Sequence, residues 1–347
     1  MSVNLPATAK KAGRPARFAR LRAWIGILLS LVCLTWLVYV GAKNWADVWA
    51  ALAQVNYTLV VVAVLLNLAS VLFRTIRWRL MFHTPRAPSF GRLVAALLVG
   101  QAVNVLSPAR LGDLARATLA DTEGTAYTLG TLVVELALDL LMMVALVVLL
   151  SVGLEQSATT LPAWWRGSGQ ALLATAAVAM AVMVTIVIGR RWLARVLEQF
   201  AARWPRPAIQ RVVTWARQLL FSLDTLGQTT RLLPVLACSI LIWTLYTTVN
   251  YTLLGAIGER PSILTSLFLL VVLQLGVAVP SSPGRLGVFH YLCIQALAVF
   301  KIDGPKALSY AVILHLISVV LPVAMGSVLA WRLGIRVWRA SHDLEDA

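Results

Sequence analysis

The sequence predicts an all-α polytopic membrane protein. Three observations carry this. Sixty per cent of its 347 residues are hydrophobic and only 13% are charged. Mean hydropathy is +0.82. Apolar runs of roughly 17–25 residues, long enough to cross about 30 Å of hydrocarbon, recur from end to end. Six such runs read as full spans: Trp24–Ala42, Thr58–Phe73, Tyr127–Val152, Ala171–Gly189, Leu233–Ile257 and Ala307–Leu333. Shorter apolar pieces lie at Leu93–Ser107, Ile263–Pro280 and Leu286–Phe300. No polar stretch is long enough for a folded domain outside the membrane. The expected organisation is a basic segment 1–23, one membrane domain 24–334 and a tail 335–347. The first apolar run lacks a small-residue cleavage site and reads as a retained helix.

The net charge of +16 sits beside the apolar runs. That is the pattern of cytoplasmic loops and anionic headgroups, and it argues against nucleic acid as a partner. Lys10–Arg22, Arg74–Arg92, Arg190–Arg231 and the tail with Arg332, Arg336 and Arg339 are the basic segments, expected on the cytoplasmic side. Lys43–Tyr57, Gly153–Gly169 and Gly258–Pro261 are near neutral and expected outside. The chain is thus expected in a bacterial-type inner membrane with both termini cytoplasmic. Cys33, Cys238 and Cys293 all fall in apolar runs and form neither a disulfide framework nor a metal site.

Charge parity constrains the short pieces. Between Arg92 and Arg190 the chain must cross an even number of times, yet three apolar pieces lie there. Leu93–Ser107 rises only about 22 Å as a helix. It is expected to enter, break near Pro108 and return through Arg110–Thr125. Ile263–Pro280 and Leu286–Phe300 make a second broken pair, or else two full crossings.

One motif marks both breaks: Ser107-Pro-Ala-Arg-Leu-Gly112 and Ser282-Pro-Gly-Arg-Leu-Gly287. The copies fall in halves, about 24–189 and 171–333 meeting near 153–190, whose matched elements run in opposite directions. This is an inverted repeat, and broken helices in such repeats are where carriers bind substrate. In 190–231, Trp192, Val196, Phe200 and Trp204, then Val212, Trp215, Leu219 and Leu223, recur at helical spacing and predict amphipathic helices on the bilayer surface.

Candidate site residues follow from the cost of polar groups in lipid. Arg110 and Arg285, at the mouths of half-helices, suit a phosphate in forked geometry. Gly112, Gly284 and Gly287 would let a headgroup approach the backbone. Glu135 and Asp139 share a helix face and need partners or protons, with Arg110 or Arg116 as possible partners. Arg74 and Arg77 either reach the cavity or snorkel to the interface. Asn104, with Gln101 and Gln274, either lines the cavity or bonds across helices. His290 and His315 are cavity candidates against the blander reading of satisfied core histidines. No phosphate loop, metal-ligand spacing or nucleophile elbow occurs, so neither an enzyme nor a cofactor is expected.

These residues resemble the flippase-like transmembrane region of lysylphosphatidylglycerol synthases. The likeness rests on Arg74 with Arg77-Trp78, Asn104 to Gly112 with Arg116, Glu135 with Asp139, Pro280 to Phe289, and Pro322 with Gly326. Leu136, His290 and His315 depart from the family pattern, in which an arginine, an acid and an arginine are usual there. Too few residues follow Gly334 for the synthases' aminoacyltransferase domain. The resemblance therefore implies movement or handling of an anionic or phosphate-bearing lipid, of phospholipid, polyprenyl-phosphate-linked or hopanoid type, without aminoacylation. The alternative is an accessory protein that presents lipid to a lipid- or glycan-modifying enzyme, which would then be its partner. A membrane transferase is a third reading.

Overall fold

The computed structural model describes residues 45–82, 87–107, 111–122, 124–155, 192–204, 207–222, 229–276 and 283–332, with isolated positions elsewhere. Apart from such positions, the expected spans Trp24–Ala42 and Ala171–Gly189 lie outside the described residues, as does Arg110. The described elements are helical: α1 Trp45–Ala53, α2 Tyr57–Leu80, α3 Phe90–Leu106, α4 Leu111–Leu119, α5 Thr125–Glu155, α6 Pro207–Ser222, α7 Thr229–Ala256, α8 Ile263–Gly276 and α9 Val288–Ala298. A long last helix follows as α10 Gly304–His315, a π-turn Leu316–Val320 and α11 Leu321–Arg332. Residues 192–203 are helical too. Four of these helices, α2, α5, α7 and the α10–α11 span, are long and apolar enough to cross a membrane.

Each crossing helix starts before its expected apolar run, and α2 and α5 also continue past its end. α2 begins at Tyr57 because the Asn56 side chain accepts from the free amides of Thr58 and Leu59 at 3.1 and 3.3 Å. It continues past Phe73 through Arg74, Arg77 and Arg79 to Leu80. The Asn56 amide donates to the Ala256 carbonyl at 2.8 Å. At the other end Arg231 donates to the Phe82 carbonyl at 3.2 Å. α2 and α7 are therefore antiparallel neighbours, bonded at both ends.

The short helices fold back as hairpins. α3 stops at Ser107, where the following proline has no amide to extend the ladder. α4 returns, and Arg92 at the start of α3 donates to the Leu119 and Asp121 carbonyls at 2.6 and 3.0 Å. These contacts satisfy carbonyls at the end of α4. In the second hairpin, Phe268 near the start of α8 packs edge-on to Phe300 just past α9, ring centroids 5.4 Å apart. The second pair thus returns as well. With 17 residues at most, no hairpin helix rises more than about 25 Å.

The helix contacts repeat under exchange of halves. α2–α3, α3–α4 and α4–α5 match α7–α8, α8–α9 and α9–α10. α3 packs on α11 as α8 packs on α5, and α1 packs on α10 as α6 packs on α5. One hairpin enters beside Arg79, Arg92 and Arg231; the other enters beside the Glu259–Lys306 ion pair at 2.7 Å. The tip of the second hairpin reaches the first, because α3 touches the turn Pro283–Arg285 that carries the second motif. Each hairpin is packed in its own apolar cluster. One contains Leu93, Leu97, Leu98 and Trp78; the other contains Phe268, Val271, Ile294 and Leu297.

Gly326 on α11 lies directly against the Leu98 carbonyl of α3, a contact a Cβ would occupy. Gly326→Ala is expected to force these backbones apart and cost about 1–3 kcal/mol, seen as a lowered melting temperature in detergent. Gly91→Ala, where a Cβ meets open space, is the matched control and should melt like the parent.

Candidate functional site

The charged site builds from Glu135, the eleventh residue of α5 and about 15 Å from its start. Such a carboxylate among leucines and valines must be partnered. One oxygen accepts from Arg116 of α4 at 2.6 Å, the other from Arg77 of α2 at 3.1 Å. Arg77 also spans Asp139, one turn further along α5, with contacts of 2.7 and 3.3 Å. It donates to the Ser239 hydroxyl of α7 at 3.2 Å. Its side chain is 1% exposed, so Arg77 does not snorkel.

Two further contacts orient the cluster. The Arg116 guanidinium lies 4.1 Å from the Trp78 ring centroid, a cation–π contact in a dry setting. Trp78 in turn donates to the Thr131 hydroxyl at 2.8 Å. Arg74, one turn before Arg77, is different. It donates to Gln101 of α3 at 3.3 Å and stands 3.9 Å from Glu135, with its side chain 23% exposed. The Asp139 side chain is 38% exposed. The buried pairs therefore lie behind a partly open rim of one guanidinium and one carboxylate.

The expected site residues separate into three groups. Arg74, Arg77, Arg116, Glu135 and Asp139 come together as one cluster, and Arg116 is a Glu135 partner. Asn104 and Gly112 sit at the first hairpin. Asn104 donates to Asp113 at 2.9 Å. The space around Gly112 is filled by the Gly100 carbonyl and Asn104, so its small size serves helix crossing rather than an approaching headgroup. Gly284, Arg285, Gly287, His290 and His315 gather at the second hairpin. Here Gly284, Arg285 and Gly287 have φ of 75°, 55° and 82°, a tight left-handed turn that favours the two glycines. His315 bonds the Gly284 carbonyl at 2.8 Å. The His290 and His315 rings lie 5.0 Å apart. Among the described residues no group of three or more metal-ligating side chains forms.

Sequence reading gave no role to Trp78, Ser239, Thr131 or Asn67. Asn67 donates to the Ile317 carbonyl at 3.0 Å. Ile317 lies in the π-turn, and its i+5 partner would be Pro322, which has no amide. The side chain replaces the missing donor. The available signal was polarity itself for Asn67, Thr131 and Ser239, each inside an apolar run, whereas Trp78 lies in the basic segment that follows one.

Fold and site together define a multi-pass helical membrane protein with two opposed re-entrant hairpins around buried charge. The model of the lysylphosphatidylglycerol synthase TM region matches residues 23–326, and the chain belongs to that family of lipid-related, flippase-like membrane domains. No curated protein and no solved structure gives a match.

Glu135→Gln would leave the guanidiniums of Arg77 and Arg116 without their shared carboxylate. A loss of about 3–5 kcal/mol is expected, read as a collapse of the monodisperse fraction in size-exclusion chromatography. Asp139→Asn, at the exposed rim, should cost less. Adding Arg116→Met to Glu135→Gln should recover part of the loss by removing one uncompensated charge.

Proposed function

We propose that this chain is a lipid transporter of a bacterial-type inner membrane, moving an anionic or phosphate-bearing lipid between leaflets without catalysing a reaction on it. The observation that carries the reading is the meeting of two oppositely entering hairpins beside the buried arginine cluster. A headgroup needs a polar route through hydrocarbon, and the paired breaks would supply one. Its phosphate would engage Arg74, the least tightly paired guanidinium of the Glu135 cluster, with Arg285 on the second motif turn. Half-helix amides add positive potential there. Asp139 at the same rim would contact any ammonium group the lipid carries.

The basic end, with Arg79, Arg92 and Arg231, would face the cytoplasm, placing the first hairpin's entrance in the inner leaflet and the second's in the outer. The amphipathic segment 192–222 would lie on the cytoplasmic surface. Trp192, Phe200, Trp204, Val212 and Trp215 are exposed there. Rocking of one half against the other would pass the headgroup from entrance to entrance.

The test is reconstitution into liposomes with labelled lipids, comparing phosphate-bearing species with a phosphate-free one. The parent protein should move the phosphate-bearing lipids faster. Arg74→Gln should slow them roughly tenfold, the loss of one charge-assisted contact of about 1.4 kcal/mol, while the protein remains folded. Protein that moves no member of a broad lipid panel, with or without a proton gradient, would refute the reading.

A further inference from the structure

The two halves share a plan but not a chemistry. In the first half the facing hairpin and span, α4 and α5, carry Arg116 and Glu135, an ion pair at 2.6 Å. In the second half the matching elements, α9 and α10, carry His290 and His315. Both rings are buried, each 6% exposed. Phe289 packs edge-on to both, at centroid distances of 5.8 and 5.2 Å. Because a carbonyl only accepts, the His315 bond to Gly284 requires a proton on Nε2. The His290 Nδ1 is buried and has no hydrogen-bond partner.

We propose that His290 and His315 form a proton-binding site that latches the tip of the second hairpin. Its ligand is a proton taken from water, which makes an N–H bond on an imidazole nitrogen. The latch is the bond from His315 to Gly284, which ties the motif turn to α10. The rings occupy the place of an ion pair but, among the described residues, have no carboxylate of their own. On α9 the other ionisable groups are Tyr291 and Cys293. On α10, Tyr310 is committed to Asn250 at 2.6 Å. Lys306 is paired with Glu259 at the far end. The turn carries Arg285, whose positive charge acts on His315. α8 has no ionisable side chain, and α3 has only Arg92 at its other end. α1 carries Asp47, beside the far end of α10, and α11 carries Arg332 at its last turn. From α2, Arg74 and Arg77 are turned to Glu135, and Tyr246 of α7 faces those arginines.

With the hairpin closed, one proton can be held while a second would set two cations 5.0 Å apart beside a third charge. Charging both rings therefore drives them apart, and the turn moves with them. His315 is also the last residue before the π-turn, whose Ile317 carbonyl is held by Asn67 of α2. Movement at the latch is thus contiguous with the helix that bears Arg74 and Arg77.

The test does not require transport. Nitrogen-15 NMR of histidine-labelled protein in nanodiscs follows the rings from about pH 8 to pH 5, the range in which imidazole changes charge. The chain has four histidines, so spectra of His290→Gln and His315→Gln assign the pair. The expected result is a coupled titration, with the second proton bound about one pH unit or more below the first. Amide exchange across Gly284–Ala298, corrected for its intrinsic pH dependence, should rise with that second proton. Rings that titrate singly as free imidazoles, rings that bind no proton in this range, or unchanged exchange would each overturn the proposal. The parent titration decides even where a substitution fails to fold. Protein that passes here but moves no lipid would contradict only the transport reading.

Discussion

Glu135 is the carboxylate on which this structure turns. It sits well inside an apolar helix and is held by guanidiniums from two other elements, Arg77 on α2 and Arg116 on α4. Removing any partner leaves a charge buried in a medium that solvates it poorly. The cost of that outcome pins the first hairpin against α2 and α5. Arg77 then extends the network to Ser239 on α7. Four elements, α2, α4, α5 and α7, are thus tied into one network around this acid. The hairpin can end at Ser107, short of crossing, because its return helix carries Arg116 into this network.

The second half repeats the architecture and changes the adhesive. Imidazoles replace the ion pair, and a backbone carbonyl on the motif turn accepts from His315. One side of the molecule is held by ion pairs, the other by two imidazoles in ring contact. The halves connect where Asn67 supplies the donor that Pro322 lacks. This asymmetry within a symmetric plan lets one hairpin remain an anchor while the other moves.

Much of the plan was legible in the sequence. Run length and charge parity located α2, α5, α7 and the last span. The same parity required the first hairpin to return. The repeated Ser-Pro-x-Arg-Leu-Gly placed both breaks, because proline and glycine punctuate helices wherever they occur. Less legible were choices among partners. Arg77 lies 62 residues from Asp139 and 58 from Glu135, so its burial could not be told from snorkelling by local pattern. Gly112 invited a headgroup reading, yet its neighbour is the Gly100 carbonyl on the antiparallel helix. The π-turn was hidden for a related reason: Pro322 signals a missing amide, but only the approach of α2 shows how the orphaned carbonyl is satisfied.

The central claim is that Arg74, the least tightly paired arginine of the Glu135 cluster, receives a lipid phosphate. Native mass spectrometry of gently purified protein, comparing the parent chain with Arg74→Gln, tests it most directly. The account predicts a co-purified phosphate-bearing lipid on the parent, identified by its mass, and its loss from the folded Arg74→Gln protein. A parent protein that carries only phosphate-free lipid, or a variant that retains the phosphate-bearing lipid undiminished, would contradict it.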